Sequence, residues 1–213
     1  MKVLKYSLYS LALLFLALFA YYQFWFLRLP ERTFDSKENV LVSPANGLVA
    51  SVSAYNDSFI EVTKAKYGVI NVWTKDVDTA GTIISIVMNV TNVHYQRAPL
   101  TSKIISHRYT EGKFNNAVAN DNPFGIRFEN EHNEILFENA EGKRVKIIQI
   151  AGLVARRIVD FVKPEQQVKK GDVVGLIKLG SQVTVILPKG VKPLVKPGQT
   201  ILDGEPLAEF PLP

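Results

Sequence analysis

The chain has 213 residues, no cysteine, three histidines and a formal net charge of +5. That length allows one sizeable domain with an appendage, and the missing cysteines exclude disulfides, a thiol nucleophile and thiolate zinc sites. The lysines and arginines form no long basic run, so the charge suits an anionic membrane surface and argues against nucleic acid as a partner.

The first element is sharply defined. Tyr6–Leu27, YSLYSLALLFLALFAYYQFWFL, carries no charge. As a helix it reaches roughly 33 Å, against a bilayer core of about 30 Å. Tyr21, Tyr22, Trp25 and Phe26 gather at its far end as an interfacial belt would. Aromatics stand where a cleavable signal needs small residues. Residues 1–27 therefore read as a retained single-pass anchor in the cell membrane, 28–39 as a linker and 40–213 as one domain. Arg28, Arg32 and Lys37 after the helix outnumber Lys2 and Lys5 before it, which favours a cytoplasmic domain.

Beyond the linker, short apolar runs recur. They fall at Val40–Val42, Gly47–Val52, Val69–Trp73, Thr82–Met88, Lys103–Ile105, Gly125–Phe128, Glu134–Phe137 and Val145–Ile150. Further runs follow at Ile158–Val162, Val173–Ile177, Thr184–Leu187 and Pro206–Phe210. Gly, Pro, Asn or Asp punctuate most of them, which predicts a mainly β domain of sandwich or barrel type. A short helix fits Ala151–Ile158, and a strand fits it too. VKKGDVVGLIKL (Val168–Leu179) echoes VKPGQTILDGEPLAEF (Val195–Phe210): each has Val-Lys-x-Gly, a turn and an apolar run. The repeat is similar to barrel-sandwich domains of the biotinyl/lipoyl type. Neither turn offers a methionine-flanked lysine, so a carrier role is not expected.

One run is interrupted. IKLGSQVTVILP (Ile177–Pro188) reads as a single buried strand broken by Gly180–Ser181, and glycine inside a strand marks a bulge or a close backbone approach. On the dipeptide alone, a bulge followed by a surface serine is the plainer reading.

Other segments change that balance. SPANG (Ser43–Gly47), NVHYQRAPL (Asn92–Leu100), EGKFNNA (Glu111–Ala117), ENEHN (Glu129–Asn133), QIAGLVARRIV (Gln149–Val159) and LGSQVTVILP occur in this order. Together they resemble the short, type II-like form of the phosphatidylserine decarboxylase proenzyme family, from about Val40 to Phe210. The resemblance implies that the chain cuts itself between Gly180 and Ser181, into a β chain of residues 1–180 and an α chain of residues 181–213. The Ser181 hydroxyl would attack the Gly180 carbonyl to give an ester, and elimination and hydrolysis would leave a pyruvoyl group on the short chain. That ketone would be the self-derived cofactor for decarboxylating phosphatidylserine to phosphatidylethanolamine, an electron sink that no standard side chain provides. Glycine at 180 leaves the attacked carbonyl unhindered and conformationally free.

The same resemblance implies an active-site role for His94, whose imidazole can move a proton near neutral pH. Arg97, Arg156 and Arg157 are candidates for the lipid phosphodiester, since guanidinium matches phosphate geometry. His107 and His132 match no functional position and read as surface histidines. No metal site is expected. The chain departs from the family pattern at two carboxylates: Asn46 and Asn92 stand where the family has aspartates, and Gln182 and Thr184 replace its usual Arg and Asp after the serine. In a serine-protease triad an Asp-to-Asn change slows the reaction roughly 10⁴-fold. Asp121 and Glu131 are unassigned carboxylates that could compensate. An alternative stays open: an unprocessed, non-catalytic relative that binds phospholipid head groups or acts structurally at the membrane. A tethered adaptor of the membrane-fusion kind would need a helical hairpin that no heptad stretch supplies.

Overall fold

The computed structural model describes residues 2–64, 68–116, 126–151, 158–178 and 182–212. Helix α1 (Lys2–Ala20) runs into a π-helical turn, Tyr21–Phe26. The span Lys5–Phe26 is long and apolar enough to cross a membrane, and its apolar window is unburied by the rest of the chain.

The strands, in chain order, begin with β1 (Val40–Val42), β2 (Gly47–Tyr55), β3 (Phe59–Lys64), β4 (Gly68–Trp73), β5 (Gly81–Val87) and β6 (Tyr95–Arg97). Next come β7 (Ser102–Thr110), β8 (Lys113–Asn116), β9 (Ile126–Glu129), β10 (His132–Glu138), β11 (Arg144–Ile150) and β12 (Ile158–Asp160). The chain ends with β13 (Gln167–Val168), β14 (Val173–Ile177), β15 (Gln182–Pro188), β16 (Lys192–Pro193), β17 (Thr200–Ile201) and β18 (Pro206–Glu209). The domain is mainly β, and its main sheet curls into a half-barrel.

That sheet has the order β13-β7-β10-β11-β15-β5-β2-β17, and its described pairings are antiparallel. Its central strands are covered on both faces, which is why β11 and β15 read as continuous apolar runs rather than alternating ones. On one face Val145, Ile147, Val185 and Leu187 join Ile84, Ile135 and Phe137 in the largest core cluster. On the other, Ile148, Ile150 and Ile186 meet Val62, Ile70 and Val72 of the β3–β4 hairpin. Lys146 lies in that second layer, almost fully buried. Its ammonium donates to the Trp73 carbonyl (2.7 Å) and pairs with Glu134 (2.8 Å) and Asp76 (2.7 Å), which satisfies all three of its N–H groups.

The Gly-Ser interruption has a different meaning from the one its sequence suggests. Ile177–Pro188 is not one strand. β14 ends at Ile177 and belongs to a three-stranded sheet, β12-β14-β6, whereas β15 starts at Gln182 in the centre of the main sheet. The apolar run crosses from one sheet to another, and Gly180–Ser181 lies between the two, outside the described residues. The helix or strand expected over Ala151–Ile158 also falls largely outside them; Ile158 itself opens β12.

The sequence echo is a shared turn. In Lys169–Asp172 and in Lys196–Gln199 the last backbone N–H returns to the first carbonyl, at 3.0 and 3.2 Å. In each, the last side chain accepts from the first N–H, and a glycine, Gly171 or Gly198, takes φ near +88° or +85°. The linker uses one such turn as a seat. Phe34 lies against Gly171 and Gly204, where a methyl group in place of either glycine hydrogen would come within 2.4 and 2.8 Å of its ring.

Candidate active site

One end of the main sheet gathers the segments singled out by sequence. Gln182, the residue after Ser181, pairs with Ile150 of β11 and Val87 of β5. Leu48 also pairs with Val87, which brings the SPANG turn beside them. Ala45, Met88, Ile177 and Val183 form a small core there, with Ile158 packed against it.

His94 precedes β6 and is fully buried. Its backbone carbonyl accepts from the Ile177 N–H (3.1 Å) and from the Gln96 side chain (2.7 Å), so it fastens the last residue of β14. Its Nδ1 lies 2.9 Å from the Asn92 carbonyl oxygen. A carbonyl only accepts, so Nδ1 carries the proton and Nε2 presents a lone pair. That Nε2 is buried and has no partner among the described residues. Burial lowers the imidazole pKa to about 4; the Asn92 hydrogen bond opposes the shift and the Arg28 charge adds to it. At neutral pH His94 is a neutral base with its accepting nitrogen free.

A buried polar chain supports the β6 end. Gln149 donates to Gln96 (2.7 Å), Asn133 donates to Gln149 (2.8 Å) and to Asp160 (2.6 Å), and His107 Nε2 lies 3.1 Å from Asp160. Gly175 makes room for it: a Cβ there would sit 2.4 Å from the Gln149 amide nitrogen. These partners correct the reading of two histidines as surface groups. His132 is buried, with Nδ1 at 3.0 Å from the Asn130 carbonyl, and His107 is partly buried against Asp160.

The two asparagines are both committed as acceptors. Asn46 Oδ1 receives the backbone N–H of Asp203 at 2.5 Å, and Asn92 Oδ1 receives that of Asn89 at 2.8 Å. Asn92 thus meets His94 through its carbonyl while its side-chain oxygen caps a turn. Glu131 is a buried carboxylate that accepts from the Ile158 N–H (3.4 Å) and bonds Tyr109, whose phenol pKa is raised by burial and by this contact. Asp121 lies outside the described residues, as do Gly180, Ser181, Arg156 and Arg157.

Arg97 is described, and its place differs from a phosphate site. It is buried, and its guanidinium donates to Asp203 (2.6 Å), to the Gly171 carbonyl (2.9 Å) and to the Pro30 carbonyl (2.9 Å). Asp203 also receives Arg32 at 2.8 Å. This triad ties the 28–39 segment to the domain and leaves the Arg97 guanidinium engaged by protein partners. Arg28 follows the apolar helical span, half-buried; it donates to the Trp25 (2.7 Å) and Thr91 (2.6 Å) carbonyls, and its field reaches His94. Sequence reasoning passed over it because it reads as an ordinary flanking charge.

A curled antiparallel half-barrel, with a buried neutral histidine at one sheet end, follows a helix long and apolar enough to cross a membrane. Comparison gives the family. A model of the phosphatidylserine decarboxylase family matches residues 19–209. The chain is 38% identical to the phosphatidylserine decarboxylase proenzyme of Ruegeria pomeroyi, covering 85% of this chain and 75% of that one. It is 37% identical to the proenzyme of Syntrophus aciditrophicus (87% and 78% covered) and 34% to that of Pelobacter propionicus (96% and 83%). The chain belongs to the phosphatidylserine decarboxylase family.

Proposed function

We propose that this chain is a membrane-anchored phosphatidylserine decarboxylase that cleaves itself between Gly180 and Ser181 and converts Ser181 into its pyruvoyl group. The observation that carries the reading is the orphaned Nε2 of His94, a buried lone pair on the residue whose carbonyl holds Ile177, three positions before Gly180. A neutral imidazole in that state is unprotonated at neutral pH, and so its lone pair is available to a general-base step. In processing, it would take the hydroxyl proton of Ser181 as the serine oxygen bonds to the Gly180 carbonyl carbon, and pass that proton to the Ser181 nitrogen as the C–N bond breaks. Elimination would then release the Gly180 carboxylate, and hydrolysis of the resulting imine would release ammonia. In turnover, it would hold and return a proton at the substrate carbon. The pyruvoyl group, when formed, supplies the electron sink for the pair left behind by carbon dioxide.

The phospholipid substrate accounts for the anchor. Arg28 is the cation proposed for the phosphodiester, and the three residues Tyr21, Trp25 and Arg28 suit the depth of a lipid head group. The excess of basic residues after the helix supports a cytoplasmic domain. A second reading is favoured by one observation: no carboxylate touches the His94 ring among the described contacts, since Asn46 and Asn92 are engaged elsewhere. On it, the chain stays whole and binds phospholipid head groups without chemistry.

Intact mass under denaturing conditions separates the two. Chains of residues 1–180 and 181–213, the second blocked by pyruvoyl, are expected. A single chain of 213 residues persisting through long incubation rejects the decarboxylase reading.

A further inference from the structure

The end of the anchor forms a wall of the site. Phe26 is fully buried, whereas its neighbours Phe24 and Trp25 are 82% and 50% exposed. Its ring centroid lies 4.1 Å from that of the His94 imidazole, with the planes tilted by 32°, and Tyr22 stacks on Phe26 at 5.4 Å. Two polar clamps hold this approach. The Tyr21 hydroxyl donates to the Val90 carbonyl (3.0 Å), and Arg28 donates to the Thr91 carbonyl (2.6 Å). The helix changes from α to π geometry at Tyr21–Phe26, the segment that makes these contacts, and such widened turns recur at functional sites.

We infer that Phe26 is a positioning residue for His94: the anchor's last buried ring shields the imidazole from water and fixes its plane, so the site is complete only while the helix end is docked on the 90–94 loop. This inference rests on the decarboxylase reading for what His94 does, and on geometry alone for how Phe26 holds it. Two local forces act on the ring. Asn92 fixes the proton on Nδ1, and Phe26 covers a face that water would otherwise wet. Water at that face would stabilise the imidazolium. The charged group acting on His94 is Arg28, from the anchor end. Tyr22 is the titratable group behind Phe26; the loop residues Val90, Thr91 and Asn92 and the β14 residue Ile177 carry none.

The test is the titration of the three imidazoles by nitrogen NMR, in the full-length chain embedded in lipid nanodiscs. His94 is expected to protonate near pH 4 in the parent. Phe26→Ala should raise that midpoint by roughly one unit or more, toward the free-histidine value of about 6.5. Phe26→Leu, which keeps an apolar cover without the ring, should raise it less. His107 and His132 serve as controls and stay put. Should Phe26→Ala unfold the domain, all three histidines move together and Phe26→Leu decides. A His94 midpoint at the parental value in a folded variant overturns the inference. Because NMR reads the imidazole whether or not the chain cleaves, failure of this proposal is distinct from failure of the decarboxylase reading, which intact mass reports.

Discussion

Asn46 accepts the backbone N–H of Asp203 through its side-chain oxygen at 2.5 Å, at the position where the family pattern has an aspartate. An aspartate would accept the same bond, so the fold does not demand the amide. Asn46→Asp is expected to leave the domain folded and to shorten the half-time of self-cleavage tenfold or more, within the roughly 10⁴-fold range of a triad carboxylate. Time-resolved intact mass measures it. An unchanged half-time would remove position 46 from the cleavage machinery.

His94 and Asn92 should behave differently on mutation, although they are hydrogen-bonded. His94→Gln removes the lone pair and should slow cleavage by about 10² to 10⁴-fold. Asn92→Ala loses only the cap on Asn89, because the bond to His94 comes from the main chain. Its effect should stay under about tenfold, the size of a lost cap of roughly 1 kcal/mol.

The pH dependence follows from the lowered pKa of His94. The base form persists down to about pH 4, so cleavage should be insensitive to His94 titration between pH 8 and 5 and fall roughly tenfold per unit below 4. Stability has its own window. The unfolded histidine, with a pKa near 6.5, binds a proton more readily than the folded one, so stability drops as pH falls from about 6.5 to 4. A urea titration series that is flat across that window in the parent, with the same slope in His94→Gln, would contradict this.

Asp203 is a buried carboxylate shared by Arg32 and Arg97. Asp203→Asn leaves Arg97 buried with no counter-charge, and an uncompensated buried charge costs about 3–5 kcal/mol. Loosening of the 28–39 segment should accompany it, visible as new protease cuts near Arg32. Arg32→Ala should cost less, since Arg32 is partly exposed and Arg97 keeps its partner.

Arg28→Ala should raise KM for vesicle-embedded phosphatidylserine more than it lowers kcat, if the guanidinium meets the phosphodiester in ground and transition states alike. Vesicle assays of the processed enzyme measure the split. A change confined to kcat would assign Arg28 to the chemistry of His94 instead.

Much of the β architecture was legible because buried strands need β-branched, apolar runs, and Val40–Val42 and Val173–Ile177 were readable to the residue. The two-residue strands β13, β16 and β17 were not, since nothing so short carries periodicity. The sheet change between Ile177 and Gln182 was hidden because both β14 and β15 are covered on two faces, and an apolar run looks the same on either side of a seam. Phe26 and Arg97 were misjudged for a related reason. An interfacial aromatic and a motif arginine look available in sequence, and only the folded chain reveals that one covers His94 and the other is consumed by Asp203. His132 was misplaced likewise, as a histidine in a polar stretch that turns out to lie beneath the sheet end.

The passage of the chain from β14 to β15 has a mechanical consequence. The two sides of the Gly180–Ser181 bond are moored to separate sheets, Ile177 by His94 and Gln182 by Ile150 and Val87. A break between them unfastens neither. On the proposed cleavage, the C-terminal piece would still supply β15 to the middle of the main sheet, β17 to its edge, and β16 and β18 to a third sheet. Two pieces made by that cleavage would therefore persist as a self-complementing pair, held together by strands that the break does not touch.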